Sequence, residues 1–303
     1  MKAIIYVFSG TGNTKRICSL YKDEFERGGV ETTLFPITSD MSALPNPNDF
    51  DYVGFAYPIH AFNAPKIMLK LAKAMDKVSN KEIFIIKSSG EPLKVNNVSS
   101  MKFMSIMRKK GYILSNEYHY VMPYDMIFRH TDREAVRMWE TAQKLAPVEA
   151  REVLAHKEHK LSRVFLGGFI AWVLRIEHVA MLVNGRCFKV KKDKCIMCRK
   201  CEKNCPVGNI KIDENGKFHF GGDCLMCTRC SFGCPTDAFK IGILNAWRIN
   251  GNYPLDKGVD ESKPEPKHHH HWYCKKVYAR YYARAEEKTA QLGDLRCQRT
   301  SSD

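Results

Sequence analysis

The sequence predicts an α/β chain: a doubly wound parallel sheet of five strands, then a small cysteine-rich α+β module and a helical tail. Three observations carry that expectation. Short apolar runs rich in β-branched and aromatic residues alternate with helical spacing over residues 1–158. A loop of small residues directly follows the first of these runs. Eight cysteines then recur in two runs of one spacing, each closed by Cys-Pro.

Residues 2–8 (KAIIYVF) have the unbroken apolar pattern of a strand buried on both faces. The loop SGTGNT follows, and residues 15–27 take helical spacing. Residues 30–35 predict a second strand and 51–57 (DYVGFAY) a third. Residues 64–77 predict a helix opened by Pro65, whose fixed φ suits a first turn. Residues 82–87 (EIFIIK) predict the fourth strand, and 99–110 a helix that stops at Gly111. Residues 112–121 predict the fifth strand. A long closing helix is expected from 132 to about 159, with Pro147 as its candidate breaking point. Five strands alternating with helices imply a parallel sheet covered on both faces. Right-handed crossovers then favour the order 2-1-3-4-5.

The first cysteine run holds Cys195, Cys198, Cys201 and Cys205, and the second Cys224, Cys227, Cys230 and Cys234. Both read C-x2-C-x2-C-x3-C-P, the bacterial iron–sulfur spacing, in which three thiolates serve one cubane and the fourth ligates the other. One 4Fe-4S cluster is therefore assigned to Cys195, Cys198, Cys201 and Cys234. The other is assigned to Cys224, Cys227, Cys230 and Cys205. Zinc would use two CxxC pairs and has no need of the trailing Cys-Pro. A disulfide framework needs an oxidising compartment and usually a short chain.

The chain has 303 residues, 44% of them hydrophobic, enough for one full α/β domain and a smaller module. Cys18, Cys187, Cys274 and Cys297 share no spacing and read as ordinary thiols. The N-terminus lacks the apolar run and cleavage site of a signal peptide, so a reducing cytoplasm is the expected location. The formal charge is +15, of which residues 1–150 carry +4 and the remainder +11. Eight basic residues between positions 186 and 206 face only Asp193 and Glu202. Part of this excess balances anionic clusters, and the rest points to an acidic redox protein as donor or acceptor, or else to an anionic surface. No nucleic-acid motif accompanies the charge, so nucleic acid is not expected as a partner.

In the loop after strand one, Ser9, Thr11 and Thr14 offer hydroxyls, and Gly10 and Gly12 let the backbone come close; Asn13 completes it. Backbone N–H groups before a helix form an anion site. No lysine is present, so this is neither the nucleotide P-loop nor GxGxxG. Placed directly after the first strand, SGTGNT resembles the phosphate loop of flavodoxins. That resemblance implies FMN, with its phosphate on residues 9–14. It also implies two loops beside the ring, here residues 57–63 and 88–92. Tyr57, His60 and Phe62 are then candidates to pack on the ring, with simple core packing expected for one of Tyr57 and Phe62. Ser89 and Gly90 are candidates to hydrogen-bond its polar edge. The second loop lacks an outer stacking aromatic. A flavodoxin-like half followed by a two-cluster half resembles the flavodoxin–ferredoxin fusion proteins of anaerobic bacteria, over about residues 1–245.

The expected organisation is an FMN-binding domain at 1–158, an apolar connecting helix at 159–185, the ferredoxin-like module at 186–245, and a linker with a basic aromatic helical tail at 246–303. Residues 161–183 are the most apolar stretch, but Arg163, Arg175, Glu177 and His178 interrupt it. A spanning helix would need about 20 largely uncharged residues. A helix packed between the two domains is the first expectation, and an interfacial membrane helix carrying Trp172 the second. The consecutive His268, His269, His270 and His271 point in diverging directions, so no single metal site is expected of them.

The resemblance implies electron transfer, with the chain as a relay between FMN and two 4Fe-4S clusters for an external partner. Its rival is an FMN-dependent reductase of a quinone or nitro compound, fed by its own clusters. The basic surroundings of Cys195, Cys198 and Cys201 predict the higher potential for their cluster, since cations favour the reduced form.

Overall fold

A computed structural model describes residues 1–259 and 272–300, with side chains of the final helix described over 275–290. His268–His271 and most of the 256–267 linker lie outside the described residues.

Five strands form one parallel sheet: β1 (Lys2–Val7), β2 (Glu31–Pro36), β3 (Tyr52–Pro58), β4 (Lys81–Ser89) and β5 (Tyr112–Val121). Their order is β2-β1-β3-β4-β5, the flavodoxin-like doubly wound order. Alternation along β1 sends Ala3, Ile5 and Val7 to one face and Ile4, Tyr6 and Phe8 to the other. Helices α1 (Asn13–Arg27) and α4 (Asp132–Leu154) pack on the first face, and α2 (Lys66–Ala74) and α3 (Met101–Met107) on the second. The α4 helix opens on a capping box: Glu134 N–H donates to Thr131 Oγ1 at 2.9 Å, and Thr131 N–H returns to the Glu134 carboxylate at 3.2 Å. It runs unbroken through Pro147 and ends at Leu154, short of the expected 159. The C-terminal strand edge, where a doubly wound sheet binds ligands, therefore collects the loops after β1, β3, β4 and β5.

Inside that edge, Lys87 and Glu117 form a fully buried ion pair at 2.8 Å across β4 and β5. Arg163 reaches the same carboxylate at 3.0 Å, and Asn96 and Asn97 carbonyls take the remaining ammonium protons. This pairing pins the start of the connecting segment to the sheet.

The connecting segment is not one helix. It forms α5 (Gly167–Leu174) and α6 (Glu177–Arg186), with the chain turning at Arg175 and Ile176. The segment does join the two halves. Asn63 Nδ2 donates to Ala171 O at 2.8 Å on one side, and Asn184 Nδ2 donates to Ile241 O at 3.0 Å on the other. Phe165, Phe169, Trp172, Val179 and Val183, however, face outward.

The cysteine-rich module is built as an internal two-fold. Strands β6 (Lys189–Val190) and β9 (Phe239–Lys240) pair antiparallel, as do β7 (Ile210–Ile212) and β8 (Phe218–Phe220). Short helices α7 (Lys200–Lys203) and α8 (Arg229–Phe232) occupy matching places. Met197 and Arg199 in the first run and Met226 and Thr228 in the second all take left-handed φ near +50°. The same backbone strain at the same offsets gives both loops one shape.

The two halves share their cores. Phe232, Ile249, Tyr253 and Leu255 join the α1–α4 cluster, and Leu225 joins the α2–α3 cluster. The last helix, α9 (Trp272–Thr300), packs on α4. Lys288 bridges Glu149 and Glu152 at 3.0 and 2.8 Å, and the Arg137 guanidinium lies 4.0 Å over the Tyr282 ring.

Candidate functional site

A cavity of about 490 Å3 opens at the C-terminal edge of the sheet. Ser9, Gly10, Thr11, Asn13 and Thr14 form one end, and Ile59–Phe62 and Ser88–Glu91 flank it. Its remaining walls come from distant parts of the chain: Met122–Ile127 after β5, Ile176 with Glu177, Ala180 and Met181 of α6, Met226 and Cys227 of the second cysteine run, and Leu244 and Trp247.

The phosphate-loop end is held open by its own hydrogen bonds. Asn13 Nδ2 donates to Pro123 O at 2.9 Å, Thr11 Oγ1 to Asp125 Oδ2 at 2.9 Å, and Thr14 Oγ1 shares a proton with Ser88 Oγ at 2.8 Å. Gly12 sits at φ 111°, a backbone conformation that favours glycine. Among the described residues, the N–H groups of Gly10, Thr11 and Gly12 donate to no protein acceptor. Three unclaimed N–H groups before a helix N-terminus fit an anionic phosphate. The Thr11 and Thr14 hydroxyls are already engaged, so backbone donors and Ser9 carry most of that capacity. Burial pushes the Asp125 carboxyl up to about 6.

The sequence candidates around the ring position divide. His60 and Phe62 line the cavity, on a tight turn in which His60 and Asn63 exchange backbone hydrogen bonds at 3.0 and 2.7 Å. Ala61 and Phe62 both take left-handed φ there, of 40° and 59°, without being glycine. Such strain costs of order 1 kcal/mol per residue and clusters at functional sites. Tyr57 does not line the cavity. Strand alternation places it with Val53 and Phe55, fully buried against Phe103 at 6.2 Å between ring centroids. Ser89 lines the cavity, but its hydroxyl donates to Glu91 O at 2.7 Å and contacts Asn96 Nδ2 and His119 Nε2. It shapes the loop rather than offering a spare donor. Gly90 is where a side chain is excluded, because an added Cβ would overlap the Tyr124 ring. The Gly90 carbonyl accepts a hydrogen bond from Tyr278 of α9.

Tyr124 and Trp247 are aromatic side chains lining the cavity, where the 88–92 loop has none. Sequence reasoning missed Tyr124 and Asp125, although the loop after the last strand belongs to the same sheet edge. Charge inside the cavity is low. Burial pulls His60 down to about 4, keeping it neutral, and pushes Glu91 and Glu177 up to about 7. His60 Nδ1 and Glu177 Oε1 lie 4.0 Å apart.

The cysteines sort into two groups. A smaller cavity of about 120 Å3 is lined by Cys195, Cys198, Cys201 and Cys234, and by Cys230 as well. Cys205 instead lies within electrostatic reach of Cys224, Cys227 and Cys230. These sets fit the crossed ligation that the spacing implies. Backbone N–H groups point at the sulfurs: Asn209 at Cys205 (3.2 Å), Met226 at Cys224 (3.3 Å) and Ala238 at Cys234 (3.4 Å). Among the described residues no three His, Cys, Asp or Glu side chains converge on a single-ion position. A cubane holds its thiolates further apart than one ion does.

The two sites touch. A Cβ on Gly10 would lie 2.6 Å from Cys227 O. The Arg229 guanidinium, two residues on, donates to Gly10 O at 2.8 Å, to Ser9 O, and to Asn204 O at 2.9 Å. One side chain thereby ties the phosphate loop to both cysteine runs.

Residues 194–238 match the family model described as a 4Fe-4S dicluster domain. No curated protein matches the chain. Solved structures align with about half of it: a flavodoxin from the domain Archaea (16% identity, 51% of this chain and 99% of that one, TM-score 0.34) and oxidised Flavodoxin 2 from Bacillus cereus (15%, 50% and 98%, 0.35). A putative quinone reductase from Klebsiella pneumoniae aligns at 10% identity over 53% of this chain and 86% of that one, with a TM-score of 0.36. The sheet order above, rather than these likenesses, defines the fold of the first half. Among the described residues no helix is long and apolar enough to cross a membrane.

Proposed function

We propose that the large cavity holds FMN and that the chain relays electrons between it and two 4Fe-4S clusters on behalf of an external redox protein. The observation that carries this reading is the shared wall: Cys227 lines the cavity that the 9–14 loop closes. FMN exchanges one or two electrons and a cubane one, so the pair converts between the two kinds of redox chemistry. The chain's own residues do the rest. Ser9 and the N–H groups of residues 10–12 bind the phosphate. Phe62, Tyr124 and Trp247 enclose the ring position and exclude water. The ligand sets are Cys195, Cys198, Cys201 and Cys234 for an outer cluster, and Cys205, Cys224, Cys227 and Cys230 for an inner one.

Exposure orders the stations. Cys198 is exposed, and so are Ile196 and Met197 beside it, ringed by Lys192, Lys194, Arg199 and Lys200. This face suits an acidic redox protein, whose approach opposite charge would steer. The inner group lies between that face and the cavity.

Protein purified without oxygen should contain about eight irons and one FMN per chain. Colourless protein, or zinc in place of iron, would overturn the reading. The rival reductase has one observation in its favour, the His60–Glu177 pair, where a carboxyl near neutrality could move a proton to a bound substrate. Saturable turnover of a quinone or nitro compound with reduced ferredoxin would favour it. Slow, unsaturable transfer would favour the relay.

A further inference from the structure

Helix α5 is built inside out. Gly167 and Ala171 face the protein, and a Cβ on Gly167 would lie 2.7 Å from Val98 Cγ1, so the helix is seated closely on small residues. Its large side chains point to solvent. Phe165 is 89% exposed, Trp172 63% and, at the turn into α6, Ile176 71%. Phe169 stacks beside Trp172 at 5.9 Å between ring centroids, and Val179 and Val183 continue the surface along α6. A helix in a water-soluble domain ordinarily does the reverse. A contiguous apolar surface of this kind marks an interaction site.

We propose that α5 and α6 seat the protein on the surface of an anionic lipid bilayer, lying in the interface without crossing it. Two features select lipid over protein. Protein interfaces carry about one hydrogen bond per 100–200 Å2. From Val164 to Leu174 the only polar side-chain atom is the Trp172 indole nitrogen, a group that suits the headgroup level. Charge supplies the second feature. Arg175 and Arg186 flank the surface, while Arg163 is held by the buried Glu117 carboxylate, and the sole acid between positions 161 and 188, Glu177, turns into the cavity instead. Aromatic and aliphatic side chains on one face with basic flanks are the composition of interfacial helices, and basic residues near an anionic leaflet add attraction. The helices, of 8 and 10 residues, are too short to span. Nothing in this inference depends on what the large cavity holds.

The test uses the full chain, purified anaerobically, floated with vesicles of phosphatidylcholine alone or mixed with phosphatidylglycerol. The protein should float with the mixed vesicles, and the bound fraction should fall as salt rises. The triple variant Phe165→Ser, Phe169→Ser, Trp172→Ser should bind at least about tenfold more weakly while keeping its iron content and melting temperature. Brominated lipid should quench fluorescence of the wild type more than that of Trp172→Phe, a variant that keeps an apolar ring. Absence of flotation, equal binding to neutral vesicles or equal flotation of the triple variant would overturn the proposal. So would a wild-type dimer that the triple variant abolishes, because a second copy would then cover the surface.

Discussion

Replacing Gly10 by alanine tests the wall between the two sites. The new Cβ would lie 2.6 Å from Cys227 O and 3.3 Å from Cys227 Cβ, closer to the oxygen than real contacts allow. Neither partner yields easily, since one is phosphate-loop backbone and the other a cysteine loop with strained flanks. Overpacking of this kind costs about 1–3 kcal/mol. If the cost falls on the loaded state, FMN affinity drops by roughly 5- to 150-fold. Gly12→Ala is the control. Its Cβ would meet nothing within 4 Å, but its φ of 111° makes the backbone strained. That variant should weaken FMN binding by about 1 kcal/mol without touching the cysteine loop. Anaerobic flavin titration gives the affinities, and EPR of the reduced protein reports the inner cluster. Gly10→Ala should shift that cluster's signal or potential and Gly12→Ala should not. The argument fails if Gly10→Ala binds FMN within twofold of wild type with an unchanged EPR spectrum, or if Gly12→Ala produces the same spectral change.

Three further outcomes follow from particular residues. Lys87→Met leaves the buried Glu117 carboxylate with Arg163 as its one ion-pair partner beside the Ser100 hydroxyl, and should cost about 3–5 kcal/mol of stability, read as a large fall in melting temperature. Lys194→Glu with Lys200→Glu should lower the potential of the outer cluster by tens of millivolts, to order of magnitude, and leave the inner one in place; potentiometric EPR titration showing neither wave moved would refute this. Glu91 holds its proton to about pH 7 when folded but ionises near 4.5 when unfolded, so the folded state binds more protons between those values. Its contribution to stability is present below pH 4.5 and lost as pH rises through 7, by about 3 kcal/mol. Glu91→Gln should therefore melt higher than wild type above pH 7 and vary less between pH 5 and 8.

The sheet was legible because each strand carries its own evidence: a run such as EIFIIK is apolar on both faces wherever the rest of the chain goes. The cysteine module was legible because its motif is local. What stayed hidden was assembled from distant parts. Tyr124, Glu177, Cys227 and Trp247 meet around one cavity from four separate segments, and no spacing links them. Tyr57 is a different case, since the alternation of Val53, Phe55 and Tyr57 along β3 already directs it into the core. The apolar run at 161–183 was visible, but its polarity was not. Whether Phe169 or Ala171 faces inward depends on the close seat at Val98 and Met101, which only the tertiary structure reveals.

Arg229 gives the fusion a particular way of failing. Its guanidinium grips carbonyls on both sides of the boundary, and the cysteine between them helps close the chamber. Under the proposed assignment, loss of iron from the inner cluster would loosen the back of that chamber with it. A corroded molecule would then shed its flavin and fall silent, instead of remaining as a half-working shunt that spills reducing power into solution.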